Sequence, residues 1–309
     1  MGRRSAPHLR RNVNDVGAAE DVGPWHVPQR RESTLPTPPE LRDLRASIPQ
    51  PVPTSTPTVD VSSDTLGGVP CVVCEPAEPV ASLVYLHGGG FRLGSAAGST
   101  AFGTRIADAA RVRVIVVDYA LAPEHPFPAG LRDAMAVYDA VRSSWAQPVL
   151  VGGDSAGGGL ATSLVAAALA SEVPPPGGAA LFSPWVDLTV TAATYDSRAD
   201  SDLLFSTARA QEAAHLYLQG WDPRDPRASP LFADLKGFPP TLVFVGSEEV
   251  LLDDSLSLER ALAQAGATVN VQVVDGMHHV WPTLYPELPE SEAALRQLGD
   301  FVARIAPSD

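Results

Sequence analysis

Lysine is nearly missing from this chain: Lys236 is the only one, so a Schiff-base chemistry would rest on that single residue. Cations are scarce altogether. Lys and Arg number 22 against 36 Asp and Glu, giving a net charge of −14. That balance argues against a nucleic-acid partner, because phosphate binding needs clustered Lys and Arg. There are only two cysteines, Cys71 and Cys74, in VPCVVCEP. No second pair exists to complete a four-sulfur zinc site, and no disulfide framework is present. The stretch reads as a strand, where positions three apart point to opposite faces, so a structural role is expected for both. Long apolar runs are missing too. The most apolar helix-like stretch, LATSLVAAALA from Leu160, is far short of the roughly 20 residues that a membrane span needs. The basic start, MGRRSAPHLRRNVNDVG, has no apolar run behind it and does not read as a signal peptide. A soluble, cytoplasmic protein is the expectation.

What the chain does have is 309 residues, 45% of them hydrophobic, enough for one large α/β domain with insertions. Residues 1–50 are rich in Arg and Pro, and PTPPELRDLRASIPQP has room for one short helix between proline stops. Residues 51–80 hold short Val-containing runs broken by Pro and Gly, which read as antiparallel edge strands. From residue 81 the pattern becomes strand, turn, helix, repeated. Strands are expected in ASLVYL, VRVIVV, PVLVGG, GAALF, PPTLVFVG and TVNVQVV, with helices near 98–110, 129–144, 155–171, 251–265 and 289–305. This alternation predicts an α/β fold with a mainly parallel, doubly wound sheet. Residues 188–228 break the rhythm. They hold no convincing strand, and LLFSTARAQEAAHLYLQ is amphipathic. A helical insertion over the carboxyl ends of the strands is expected there, as a cap. The catalytic domain would then be 51–187 and 229–309, with 1–50 contributing to the cap.

The stretch GDSAG, residues 153–157, fits G-x-S-x-G between an apolar strand and a small-residue helix. In that context the serine is a nucleophile held on a tight turn at a helix N-terminus, which makes Ser155 the candidate nucleophile. HGGG at 87–90 ends another strand, and its glycines let backbone N–H groups approach a ligand. They form a candidate oxyanion hole with the N–H of Ala156. Of seven histidines, His278 and His279 follow the last strand, and either could serve as base; His87 and His125 read as structural. The acid should stand just past the strand TLVFVG. This favours Glu248 or Glu249 over Asp253 and Asp254, with Asp187 as an outsider.

Together HGGGF at 87–91, DYALAPEHPFPAGLRDA at 118–134, GDSAGG at 153–158, SPWVDL at 183–188, FPPTLVFVGSEEVLLDD at 238–254 and GMHHVW at 276–281 resemble the hormone-sensitive-lipase-like branch of the α/β-hydrolases, the bacterial family IV esterases. The resemblance spans about residues 60–305 and implies an α/β-hydrolase fold with a helical cap. In the family the acid stands nine residues after a Pro-Pro and the histidine 30 residues later. Those counts, from Pro240, land on Glu249 and His279. The family residue is Asp followed by Pro, whereas this chain has Glu249 and Val250, and Asp253 matches the motif's second aspartate. The implied triad is Ser155, Glu249 and His279, and the implied oxyanion donors lie among Gly88, Gly89, Gly90 and Ala156. Asp154 carries no catalytic role in this reading. Trp25, Leu203, Leu204, Phe205 and Tyr217 are candidate pocket residues under the cap.

The implied function is a serine carboxylesterase acting on a small-molecule ester of short to medium chain length, with no cofactor and no metal, as a monomer or homodimer. An amide or lactone substrate would use the same triad. A non-catalytic ligand-binding protein on this frame is a further alternative, as in the plant gibberellin receptors, which have lost the histidine.

Overall fold

A computed structural model describes residues 33–49 and 51–306. In chain order these form α1 (Pro39–Ser47), β1 (Val59–Leu66), β2 (Val69–Pro76), β3 (Ala81–Leu86), α2 (Ala96–Ala110), β4 (Val112–Val117), α3 (Ala129–Ser144), β5 (Val149–Asp154), α4 (Ala156–Leu169), β6 (Ala179–Phe182), α5 (Thr194–Ser197), α6 (Thr207–Leu218), β7 (Thr241–Gly246), α7 (Leu252–Gln264), β8 (Val269–Val274), α8 (Trp281–Leu284) and α9 (Pro289–Ile305). The strands make one eight-stranded sheet in the order β1-β2-β4-β3-β5-β6-β7-β8. β1 and β2 run antiparallel, as the broken Val runs suggested; from β4 to β8 every neighbouring pair is parallel.

Continuous apolar strands produce this arrangement because both faces must be covered. In β3, Val84 and Leu86 enter the core on one face, in the cluster that also holds Leu131 of α3, Leu164 of α4 and Leu258 of α7. Leu83 and Tyr85 point the other way, into the cluster that holds Ile106 of α2 and Leu298 of α9. Cys71 and Cys74 divide between the same two faces. Both are free and buried, and burial pushes each thiol up to about 12, far from a reactive thiolate. β8 borders β7 alone and is only half-buried.

Helix starts follow local chemistry. α2 begins at Ala96, slightly earlier than its periodicity suggests, because the Ser95 hydroxyl caps it by accepting the Gly98 N–H at 3.0 Å. α6 begins after Ser206, which accepts from the Arg209 N–H. Residues 188–228 contain α5 and α6 and no strand. Among the described residues no helix is long and apolar enough to cross a membrane. The ends of β3, β5, β7 and β8 all open at the carboxyl edge of the parallel sheet, where such folds place their sites.

Candidate active site

Ser155 stands between β5 and α4 with φ 53° and ψ −123°, a backbone region that costs a non-glycine residue about 1–3 kcal/mol. The turn is held by bonds on both sides of the serine: its N–H donates to Phe182 O at 2.9 Å, and its carbonyl accepts from Trp185 N at 2.9 Å. It also needs bare backbone nearby. A Cβ on Gly157 would lie 2.0 Å from Leu86 O, so α4 can approach the end of β3 only with glycine there.

His279 arrives from the loop after β8 and is 2% exposed. Its Nε2 lies 2.9 Å from Ser155 Oγ, and its Nδ1 lies 2.7 Å from Glu249 Oε2. With the Nδ1 proton donated to the carboxylate, Nε2 is left to accept from the serine hydroxyl. Glu249, fully buried, follows β7. Its Oε1 accepts from Gly246 N at 2.5 Å and from Ser183 Oγ at 2.8 Å. Ser183 also accepts the Val280 N–H at 3.1 Å, so one hydroxyl joins the carboxylate to the backbone just past the imidazole. Burial alone would push the His279 imidazole down. The hydrogen bond and charge of Glu249, with the charges of Asp202 and Asp154, outweigh it and hold the group above its ordinary value of 6.5.

The other candidates fall elsewhere. His278 is half-buried, and its Nδ1 has no partner among the described residues. Glu248 faces Arg198 at 3.5 Å. Asp253 accepts the Thr194 N–H at 3.2 Å, and Asp254 accepts from Val186 and Asp187 N–H groups at 3.0 Å. His87 is buried beneath the glycine turn, stacked on Tyr119 at 4.4 Å, and burial pushes it below its ordinary value. His125 and His215 are exposed.

Of the four residues among which the oxyanion donors were expected, Gly88 has its N–H occupied in this structure. The Gly88 N–H donates to Asp154 Oδ1 at 3.0 Å, so it is already engaged. Asp154 also receives the Tyr85 hydroxyl at 2.6 Å; burial raises its carboxyl above the usual value against these bonds. The aspartate beside the serine therefore organises the turn. Among the described residues the Gly89 and Gly90 N–H groups have no protein acceptor. The turn needs Gly89, with φ 117°, because a Cβ there would lie 2.2 Å from Leu93 O. Ala156 opens α4, where first-turn N–H groups have no helical partner.

A cavity of about 380 Å³ reaches Ser155 and His279. Over the serine its walls include Leu41 and Leu44 of α1, Gly89 and Gly90 of the turn, and Leu204 and Phe205 before α6. The Phe205 ring stacks on the His279 imidazole with centroids 5.7 Å apart. Leu203 is 73% exposed and lines no part of this cavity. Tyr217 is core, stacked on Phe91 at 4.0 Å. Trp25 lies outside the described residues. Sequence reasoning missed Ser183 and Asp202. Ser183 stood inside the quoted SPWVDL stretch without a role, and Asp202 carried no motif. Among the described residues no group of three or more His, Cys, Asp or Glu could hold a metal ion.

Comparison with known proteins gives the family of the fold. Residues 83–283 match the family described as alpha/beta hydrolase fold. An acetyl-hydrolase of Streptomyces hygroscopicus is 41% identical over 223 residues, covering 72% of this chain and 75% of that protein. An esterase of Acinetobacter venetianus is 34% identical over 253 residues, 81% of this chain and 84% of its own length. Among solved structures, an esterase from the bacterial hormone-sensitive lipase family superposes with a TM-score of 0.79 at 33% identity, covering 88% of this chain and 100% of that one. The chain belongs to the alpha/beta-hydrolase fold family, in its bacterial hormone-sensitive-lipase branch.

Proposed function

We propose that the protein is a serine carboxylesterase that works through an acyl-enzyme. The ester-hydrolase class is supported by its esterase and acetyl-hydrolase relatives. A related esterase, 33% identical with a TM-score of 0.82, was crystallised and soaked with p-nitrophenyl butyrate. The observation that carries the mechanism is the chain of hydrogen bonds Ser155–His279–Glu249, at 2.9 and 2.7 Å, assembled from three separate strand ends.

In this reading His279 Nε2 takes the proton of Ser155 Oγ as the oxygen attacks the ester carbonyl carbon. Glu249 keeps the imidazole oriented and stabilises the imidazolium. Negative charge collects on the former carbonyl oxygen, where the N–H groups of Gly89, Gly90 and Ala156 receive it. His279 then hands its proton to the leaving alkoxide, and the alcohol departs. Water, deprotonated by the same imidazole, attacks the acyl-enzyme and releases the acid. Residues 188–228 and α1 act as the cap, since Leu41, Leu44, Leu204 and Phe205 wall the cavity over the serine.

The test is hydrolysis of p-nitrophenyl butyrate by the full chain and by Ser155→Ala. The variant should fold and lose at least about 10³-fold in kcat. Near-normal turnover in it would overturn the mechanism. A matched amide, turned over more slowly than the ester, would assign the leaving group.

A further inference from the structure

Asp202 is 8% exposed and lies in the 188–228 segment, away from every motif. Its Oδ1 accepts the Leu204 N–H at 3.0 Å and the Phe205 N–H at 2.8 Å. Its Oδ2 accepts the Val250 N–H at 2.9 Å. One buried carboxylate thus holds two things at once: the cavity wall whose Phe205 ring covers His279, and the backbone immediately after Glu249. Its neighbours reinforce the same turn. Ser201 Oγ donates to Glu248 O at 3.1 Å, and Thr194 Oγ1 donates to Val250 O at 2.6 Å. Three N–H groups converge on this carboxylate, and the ring it places, Phe205, lies against the imidazole with centroids 5.7 Å apart.

We propose that Asp202 is a positioning residue for the reaction: it clasps the cap segment to the Glu249 turn, and its fixed negative charge favours the imidazolium that His279 becomes during attack. The proposal rests on the reading of His279 as the base. A purely structural Asx turn would order residues 203–205 and leave the imidazole's protonation equilibrium alone. The charges that raise His279 are Glu249 from the β7 turn, Asp202 from the cap segment and Asp154 from the end of β5, while Glu40, Arg92, Arg209 and Glu212 line the same cavity. Removing the Asp202 charge leaves all the others in place, so its share can be read separately.

The experiment is an NMR pH titration of the full chain labelled with ¹³C-histidine, with the His279 signal identified by its loss in His279→Gln. In Asp202→Asn the His279 titration should move down by about 0.5–1 pH unit at low salt. Asp202→Glu, which keeps the charge, should titrate close to wild type. If Asn, which sets an amide donor against the Val250 N–H, prevents folding, Asp202→Ser removes the same charge while its hydroxyl can still accept from Leu204 and Phe205. An unshifted His279 titration in a folded, uncharged variant overturns the proposal. The readout uses no substrate. Failure of the esterase reading would show instead as ester turnover that is missing in wild type or that survives Ser155→Ala.

Discussion

The Glu249 carboxylate has one oxygen on the imidazole and the other on Ser183 and Gly246. In this branch the acid is ordinarily aspartate, one methylene shorter, and a longer arm has one more torsion to fix. Ser183 fixes it. Ser183→Ala removes a hydrogen bond to a fully buried charge and leaves the Val280 N–H without its acceptor. The expected result is a kcat loss of about tenfold, equivalent to about 1.4 kcal/mol, with KM little changed, read by steady-state kinetics on a short-chain ester. The pH profile follows from His279. Its value is raised above 6.5, and only the neutral imidazole can accept the serine proton. Activity should therefore fall as pH falls through a point above 6.5, and the acid limb of kcat/KM against pH checks this. Ser155 was legible because a nucleophile turn is local in sequence. Glu249 and His279 needed the family counts to separate them from Glu248 and His278. Ser183 and Asp202 were not legible, since each acts by joining segments far apart in the chain. The engagement of Gly88 was hidden for the same reason: nothing in HGGG says that the Asp154 side chain occupies its N–H.

α1 was expected as a short helix between prolines, and it forms at Pro39–Ser47. What its sequence could not convey is where it docks. Only Leu41 of the helix is buried, so apolar burial alone holds it weakly. Arg45 does the holding: Nε donates to Arg92 O at 2.8 Å, and the terminal nitrogens donate to Ala122 O at 2.6 Å and Glu124 Oε1 at 2.7 Å. Thr37 Oγ1 adds a bond to the same carboxylate at 2.5 Å. Arg45→Ala should free the helix that carries Leu41 and Leu44 of the cavity wall. KM for a medium-chain ester should rise several-fold, more than kcat falls, in steady-state kinetics. Burial pushes Glu124 up, but the bonds from Arg45 and Thr37 outweigh it and hold the carboxyl at about 2, below its ordinary 4.5. The sign follows: this contribution is fully present above pH 4.5 and is lost as pH falls toward 2. The gap in melting temperature between wild type and Arg45→Ala should therefore close across that window, as a thermal scan at several pH values will read. The parallel strands were legible as apolar runs. The four-residue helices α5 and α8 were not, because one turn is too short to show a period.

Taken whole, the molecule makes its cavity from parts that are remote in the chain: α1, the turn after β3, the segment before α6 and the loop after β8. In the proposed mechanism the sheet holds the triad at fixed positions, and the pieces laid across its carboxyl edge supply the walls. Reaction type and substrate size are thus separable properties of the fold. The walls are mixed. Leucines and Phe205 alternate with Glu40, Arg209 and an Arg92–Glu212 pair at 2.9 Å, so a long apolar chain would have to lie against charged groups that prefer water. The space is also finite, at about 380 Å³ for acyl and alcohol portions together. Both facts point the same way for a series of p-nitrophenyl esters with acyl chains of about two to twelve carbons. Each methylene buried in an apolar wall would strengthen binding by about 0.8 kcal/mol, whereas one forced past the charged groups returns nothing. Catalytic efficiency, measured as kcat/KM along the series, should peak among the short to medium chains and decline steeply for the longest. A monotonic rise to the longest chain would show that the cap opens into an apolar groove not bounded by these residues.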